Sequence, residues 1–160
     1  MIHHISVSAQ NPQHVAQVLA EILKGQSVPF QVHPNSYMVL AMDEHGTAIE
    51  VLPSGVELSP GSGPDGCSFM HNPQASQFTA THAAVSVPSS QTEIEQIGVR
   101  EGWRVVRCNR ESFFDVMEFW VENHLMLEFL TPEMTAQYLA FTQQPDVLNN
   151  FVAVPAEAIA

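Results

Sequence analysis

Two histidines and two glutamates recur at one spacing. His4 and His82 are 78 residues apart (82 − 4), and so are Glu50 and Glu128 (128 − 50). Imidazole nitrogens suit Zn, Ni, Fe and Co, and carboxylate oxygens also accept harder ions such as Mn. A set of two His and two Glu, open on one side, leaves positions for water or substrate. An ion held there would stabilise negative charge on a substrate oxygen and acidify a neighbouring C–H. A carboxylate loosened from the ion could then take that proton. The competing reading is that the four are solvated residues lining a cup.

The same offset matches Val7 with Val85, Ser8 with Ser86, Gln13 with Gln91 and Leu52 with Leu130. The chain is therefore read as an internal repeat. Each His falls in the first strand of its half and each Glu in the last. Strand phase agrees with the pairing, because successive side chains point to opposite faces. His4 shares a face with Ser6 and Ser8, opposite Ile5 and Val7. Glu50 alternates with Ile49 and Val51, and Glu128 with Leu127 and Phe129. Both carboxylates thus leave the apolar face that would meet a helix.

The elements that position them follow from periodicity. After the first strand, "NPQHVAQVLAEILKG" carries Val15, Leu19, Ile22 and Leu23 at helical spacing, with Gly25 as a stop signal. Three β-like runs follow, "VPFQVH", "SYMVLAMD" and "TAIEVLP", joined by turn-forming "HPNS" and "DEHG". In the second half "THAAVSVPSS" is a strand and "SQTEIEQIGVREGW" a helix. "WRVVRCN", "SFFDVMEFWVE" and "LMLEFLTP" supply three more strands. The expected architecture is α+β: two βαβββ modules forming a curved eight-stranded sheet cup with helices outside. The modules span residues 1–55 and 80–132. Residues 56–79, dense in Gly, Pro and Ser, read as a connecting loop. Residues 133–160 read as a C-terminal helix, "EMTAQYLAFTQQ", and a tail without clear pattern.

Composition bounds the function. The chain has 160 residues, 45% of them hydrophobic, which is globular in character. Its formal net charge of −12 disfavours nucleic acid and anionic membrane surfaces as partners. No apolar run is long enough to span a bilayer and no signal-peptide pattern opens the chain, so a cytoplasmic setting is expected. Cys67 and Cys108 lack a nucleophile motif and read as inert thiols. His3, His14, His45 and His71 read as structural or surface residues, and His33 and His124 as groups that could enter the cup behind the ligands. Phe113, Phe114, Phe119 and Trp120 read as core and module contacts. Arg100, Arg104, Arg107 and Arg110 crowd into one span. They either balance local acids, the favoured reading, or hold an acidic substrate group.

With "HHISVS" and "THAAVS" opening the modules and "AIEVLP" and "MLEFLTP" closing them, residues 1–132 resemble the vicinal oxygen chelate superfamily. That group includes glyoxalase I, methylmalonyl-CoA epimerase, fosfomycin- and bleomycin-resistance proteins and extradiol dioxygenases. The resemblance implies a metal set of His4, Glu50, His82 and Glu128, with His3 left at the rim. Glutamate at both module ends is most similar to glyoxalase I, which implies that Glu128 or Glu50 also serves as the base. The implied function is a divalent-metal-dependent lyase or isomerase acting on a small carbonyl or hydroxy-acid compound. The cofactor would be Ni, Zn, Co, Mn or Fe. An extradiol-type dioxygenase and a non-enzymatic drug- or metabolite-binding protein are the alternatives on the same scaffold. Members of this fold often work as dimers with modules pairing across chains, so a homodimer is the expected assembly.

Overall fold

The structure, a computed structural model, describes residues 2–62, 64–76 and 78–143. Apolar–polar alternation makes β1 (His4–Ala9), with Val7 and Ala9 buried and His4, Ser6 and Ser8 exposed. Helix α1 (Pro12–Leu23) starts at Asn11, whose side chain accepts from the His14 N–H, with Pro12 in the first turn. Both features satisfy or remove backbone donors left unpaired at a helix start. The helix ends at Lys24 in the left-handed region (φ 50°). A side chain at Gly25 would collide with the Leu40 carbonyl, so a glycine lets the chain pass close to the sheet there. The strands β2 (Gln26–Phe30), β3 (Ser36–Leu40) and β4 (Ala48–Pro53) complete the first module.

The second module repeats the order. After β7 (Ala83–Ser86), α2 (Gln91–Glu101) opens with a capping box between Ser90 and Glu93 and closes on Gly102 at φ 69°. Then come β8 (Val105–Arg110), β9 (Phe114–Val121) and β10 (Leu125–Leu130), followed by α3 (Pro132–Thr142). The two four-stranded sheets have matching orders, β1-β4-β3-β2 and β7-β10-β9-β8, each with one parallel pair between its first and last strands. The expected α+β pair of βαβββ modules is therefore present.

One departure is that the eight strands form two separate sheets. β1 and β7 are each the outer strand of their own ladder. The modules are joined instead by a shared apolar core and by helix contacts. That core includes Val15, Leu19 and Ile22 of α1, Ile94 and Ile97 of α2, and Phe119, Leu127 and Phe129. Ser89 donates to the Ile22 carbonyl (2.6 Å, buried), and Arg100 grips both oxygens of Glu21. Glu122, in the β9–β10 turn, accepts from the backbone N–H groups of Gln10 (2.6 Å) and Asn11 (2.8 Å).

The second departure lies in the connecting segment, which contains an antiparallel pair, β5 (Val56–Ser59) and β6 (Ser68–His71). Its Gly and Pro residues fall mainly between and after these four-residue strands, a span too short to show a period. A two-stranded ribbon is marginal alone. Here Phe69 packs on His33 (ring centroids 5.0 Å) and Asn72 donates to Glu57 (2.8 Å). The tail expected beyond α3 lies outside the described residues.

Candidate metal centre

The internal repeat is carried by the ladders themselves. Ser6 stands opposite Glu50 on the β1–β4 pair, and Ala84 stands opposite Glu128 on the β7–β10 pair. Both rungs are related by the 78-residue offset, so equivalent backbone positions present the two glutamates.

The side chains diverge. In the first module His4 Nε2 lies 3.7 Å from Glu50 Oε1, and Ser6 Oγ donates to Glu50 Oε2 at 2.6 Å. The His4 side chain is 58% exposed and that of Glu50 17%, so the pair opens to solvent over a half-buried carboxylate. Two ligands of one ion, each about 2.0–2.2 Å from it, stand roughly 3 Å apart. At 3.7 Å the pair stands somewhat wider than that spacing and supplies two donors of types that suit a divalent ion.

In the second module Glu128 Oε1 is taken by Arg110 Nη2, which also donates to Glu118 Oε1 at 2.9 Å. Glu118 stands directly opposite Glu128 on the β9–β10 ladder. Two carboxylates at facing positions repel, and the guanidinium between them offsets that repulsion. Burial pushes the Glu118 carboxyl up, but hydrogen bonds from Arg110, Trp120 and Cys108 outweigh it and hold it below its ordinary value. The Arg110 guanidinium is held more firmly protonated, first by its hydrogen bond to Glu128. Burial, followed by the charge of Glu118, pushes the Cys108 thiol up, in keeping with an inert thiol. Cys67 and Cys108 are both free.

His82 lies just before β7, exposed, with Nδ1 3.2 Å from the Ala80 carbonyl. It lines a cavity of about 330 Å³ with Ser6, Ser8, Leu52, Val56 and Leu58, among others. The structure thus joins His4 to Glu50 and leaves His82 and Glu128 with other partners. Among the described residues no three His, Cys, Asp or Glu side chains converge as an ion would require. The donor types suit a divalent ion throughout; the spacing comes nearest to it in the first module.

The other candidates fall outside this site. His3 bonds to the His45 carbonyl (2.8 Å), and His14 pairs with Glu101 (2.6 Å). His33 lies 3.1 Å from the Ser36 hydroxyl and packs on Phe69. His124 packs on Phe78, and with His71 it lines a separate cavity of about 600 Å³. Arg100 and Arg107 pair with Glu21, Glu101 and Asp115, as expected of charges balancing local acids. Ser6, Arg110 and Glu118 are the residues that motif reasoning did not place in the site. Folding β9 and β10 about "ENH" puts Glu118 opposite Glu128, a signal present in the sequence.

No family model matches the sequence, and no curated protein matches it. Solved structures do. A fosfomycin resistance protein, FosX, from Listeria monocytogenes, complexed with Mn(II) and sulfate, aligns at TM-score 0.56 and 12% identity over 89% of this chain and 98% of that one. FosX from Mesorhizobium loti aligns at TM-score 0.52 and 11% identity, covering 86% and 96%. A glyoxylase/bleomycin resistance protein/dioxygenase domain from Frankia sp. EAN1pec aligns at TM-score 0.51 and 14% identity, covering 81% and 94%. The chain has the vicinal oxygen chelate fold. At these identities the likeness is one of fold, and a vicinal oxygen chelate scaffold hosts several activities. No described helix is long and apolar enough to cross a membrane.

Proposed function

We propose that this protein is a divalent-metal-dependent lyase or isomerase acting on a small carbonyl or hydroxy-acid compound chelated through two oxygens. The observation that carries the reading is the His4–Glu50 pair, 3.7 Å apart on the open face of the first sheet. His4, Glu50, His82 and Glu128 would hold the ion, which when bound supplies Lewis-acid stabilisation of a substrate oxygen. Ser6 fixes Glu50 through Oε2 and leaves Oε1 directed at His4. Glu128 or Glu50 takes a proton from the carbon beside the polarised oxygen and returns it to a neighbouring atom. Because the four ligands do not converge within one chain, the set would be completed in a homodimer, module against module. Structures of the same fold include a FosX variant complexed with Mn(II) and dihydroxypropylphosphonic acid, a small oxygen-rich ligand.

A second reading is favoured by one observation. The Arg110–Glu128 pair already neutralises one candidate ligand, as would suit a metal-free binding cup for a drug or metabolite. Elemental analysis of protein purified without chelator or affinity tag separates the two. The enzyme reading expects about one bound Mn, Zn, Ni, Co or Fe per chain, lost in a His82→Ala, Glu128→Ala variant. Protein that stays metal-free after reconstitution overturns it in favour of the binding cup.

A further inference from the structure

The cavity of about 600 Å³ lined by His71 and His124 lies toward the far end of β1 from the candidate metal centre. It includes Ser8, four positions beyond His4, or about 13 Å along a strand. The connecting segment forms one wall. Gly55 turns the chain from β4 into β5 at φ 87°, and a side chain there would meet the Asn72 carbonyl (2.9 Å) and the His71 ring (3.1 Å). Glycine therefore lets the end of β6 close over the turn. The Asn72 N–H donates to the Gly55 carbonyl (2.7 Å), and the Ser76 hydroxyl donates to the Phe78 carbonyl (2.8 Å). A second wall comes from the β9–β10 turn, with Val121, Glu122 and Leu125 beside His124.

The lining is selective in its chemistry. Among the described residues no lysine or arginine lines the cavity, whereas Glu57 and Glu122 do. Glu122 is half-buried and both its oxygens accept from the Gln10 and Asn11 N–H groups, so it contributes negative charge to the wall. Glu57 is exposed and accepts from Asn72 Nδ2 through Oε1. Its Oε2, like the ring nitrogens of His71 and His124, has no hydrogen-bond partner among the described residues. Phe78, 64% exposed, stands edge-on to His124 at 5.8 Å. An open aromatic ring beside negative charge is a platform for a cation. Acceptors and an aromatic face, with no cation in the lining, favour a positively charged guest and disfavour an anion.

We propose that this cavity binds a small organic cation, an ammonium group on an aromatic or apolar body, at a site separate from the metal centre. Glu57 and Glu122 draw the ammonium, and Glu57 Oε2 accepts one of its N–H groups. The body lies on Phe78, against Val121 and Leu125. The ring nitrogens of His71 and His124 take the remaining hydrogen-bonding groups of the guest. Ser8, Val56, Thr79 and Leu125 also line the cavity beside His82, so the two cavities adjoin. None of His4, Glu50 and Glu128 lines the larger one, and the inference does not rest on the metal reading.

The test uses probes of similar shape and different charge: tyramine (cationic), para-ethylphenol (neutral) and para-hydroxyphenylacetate (anionic). Binding is read from the imidazole resonances of His71 and His124 by NMR, assigned with His71→Gln and His124→Gln. Tyramine is expected to shift both resonances saturably at millimolar concentration, para-ethylphenol to bind more weakly, and the anion to leave both unmoved. Glu57→Gln and Phe78→Ala, each checked for folding by circular dichroism, should weaken tyramine about two- to five-fold. That is the scale of an exposed ion pair and of an exposed cation–π contact. A His4→Ala, Glu50→Ala variant should bind tyramine as the wild type does. The proposal is overturned if tyramine shifts neither imidazole, or if the three probes bind alike. It is equally overturned if neither Glu57→Gln nor Phe78→Ala weakens tyramine, or if the His4→Ala, Glu50→Ala variant loses the binding.

Discussion

Ser6 and Glu50 face each other across the β1–β4 rung and share a 2.6 Å hydrogen bond, while the equivalent rung of the second module pairs Ala84 with Glu128. Glu50 is thus held by a hydroxyl beside His4, whereas Glu128 faces Glu118 and is held by Arg110. Ser6→Ala is expected to cost about 1 kcal/mol in stability, the range of an ordinary intramolecular hydrogen bond, because this one is open to solvent. It should also weaken divalent-ion binding by freeing the Glu50 rotamer. Denaturant midpoints and ion titrations check the two effects separately.

Glu122 carries the contact between the β9–β10 turn and the start of α1, accepting two backbone N–H groups from the other module. A carboxylate at a helix start also opposes the positive end of the helix dipole. Glu122→Ala is expected to destabilise by about 1–2 kcal/mol. Faster amide exchange at Gln10 and Asn11 would accompany it. Unchanged exchange there would contradict this role.

Buried residues of the two modules form one apolar core. Phe119 is fully buried and packs edge-on to Trp103 (5.7 Å) and against Phe129 (5.2 Å). Phe119→Ala is expected to cost about 3–5 kcal/mol. Thermal unfolding followed at the two module cores should shift together; separate transitions would show that the modules unfold independently.

Stability should fall in acid. The Glu21 carboxyl is lowered first by its hydrogen bonds from Arg100. Burial works against the Glu101 carboxylate, but hydrogen bonds from Arg100 and His14 outweigh it. Asp115 is lowered chiefly by Arg107. A carboxyl lowered in the folded state binds its proton more readily when unfolded. Its contribution is therefore full above the ordinary glutamate value of 4.5 and is lost as pH falls through the folded value. Melting temperature is expected to be flat from pH 7 to about 5 and to drop below about 4.5. A flat profile to pH 3 would contradict the ion-pair account.

The face shared by His4 and Glu50 was readable because it needs only strand phase, fixed by alternation around Ile5, Val7, Ile49 and Val51. The parallel pairing of β1 with β4 was not readable, because alternation carries no strand direction. The first helix was readable from the spacing of Val15, Leu19, Ile22 and Leu23 and from the stop at Gly25, although the left-handed residue that ends it is Lys24, one position earlier. The β5–β6 ribbon was not, because four-residue strands such as "VELS" carry too little alternation to stand out from the Gly and Pro around them. The bridge from Arg110 to Glu128 was not either. It depends on the rotamer of a long side chain reaching across strands, and sequence spacing carries no information on that. The separation of the sheets likewise depends on how α1 and α2 dock, through Ser89, Arg100 and Glu122, contacts that join residues far apart in the chain.

The most direct test of a site built from both modules is complementation between two inactive chains. One variant carries His4→Ala and Glu50→Ala, the other His82→Ala and Glu128→Ala. Each should bind no divalent ion alone. Refolded together as an equal mixture, random pairing into dimers should restore about one quarter of the wild-type Mn(II) capacity, since half the dimers are mixed and each holds one intact set. A mixture that binds no ion, beside wild type that binds one per chain, would contradict a site shared between modules of two chains.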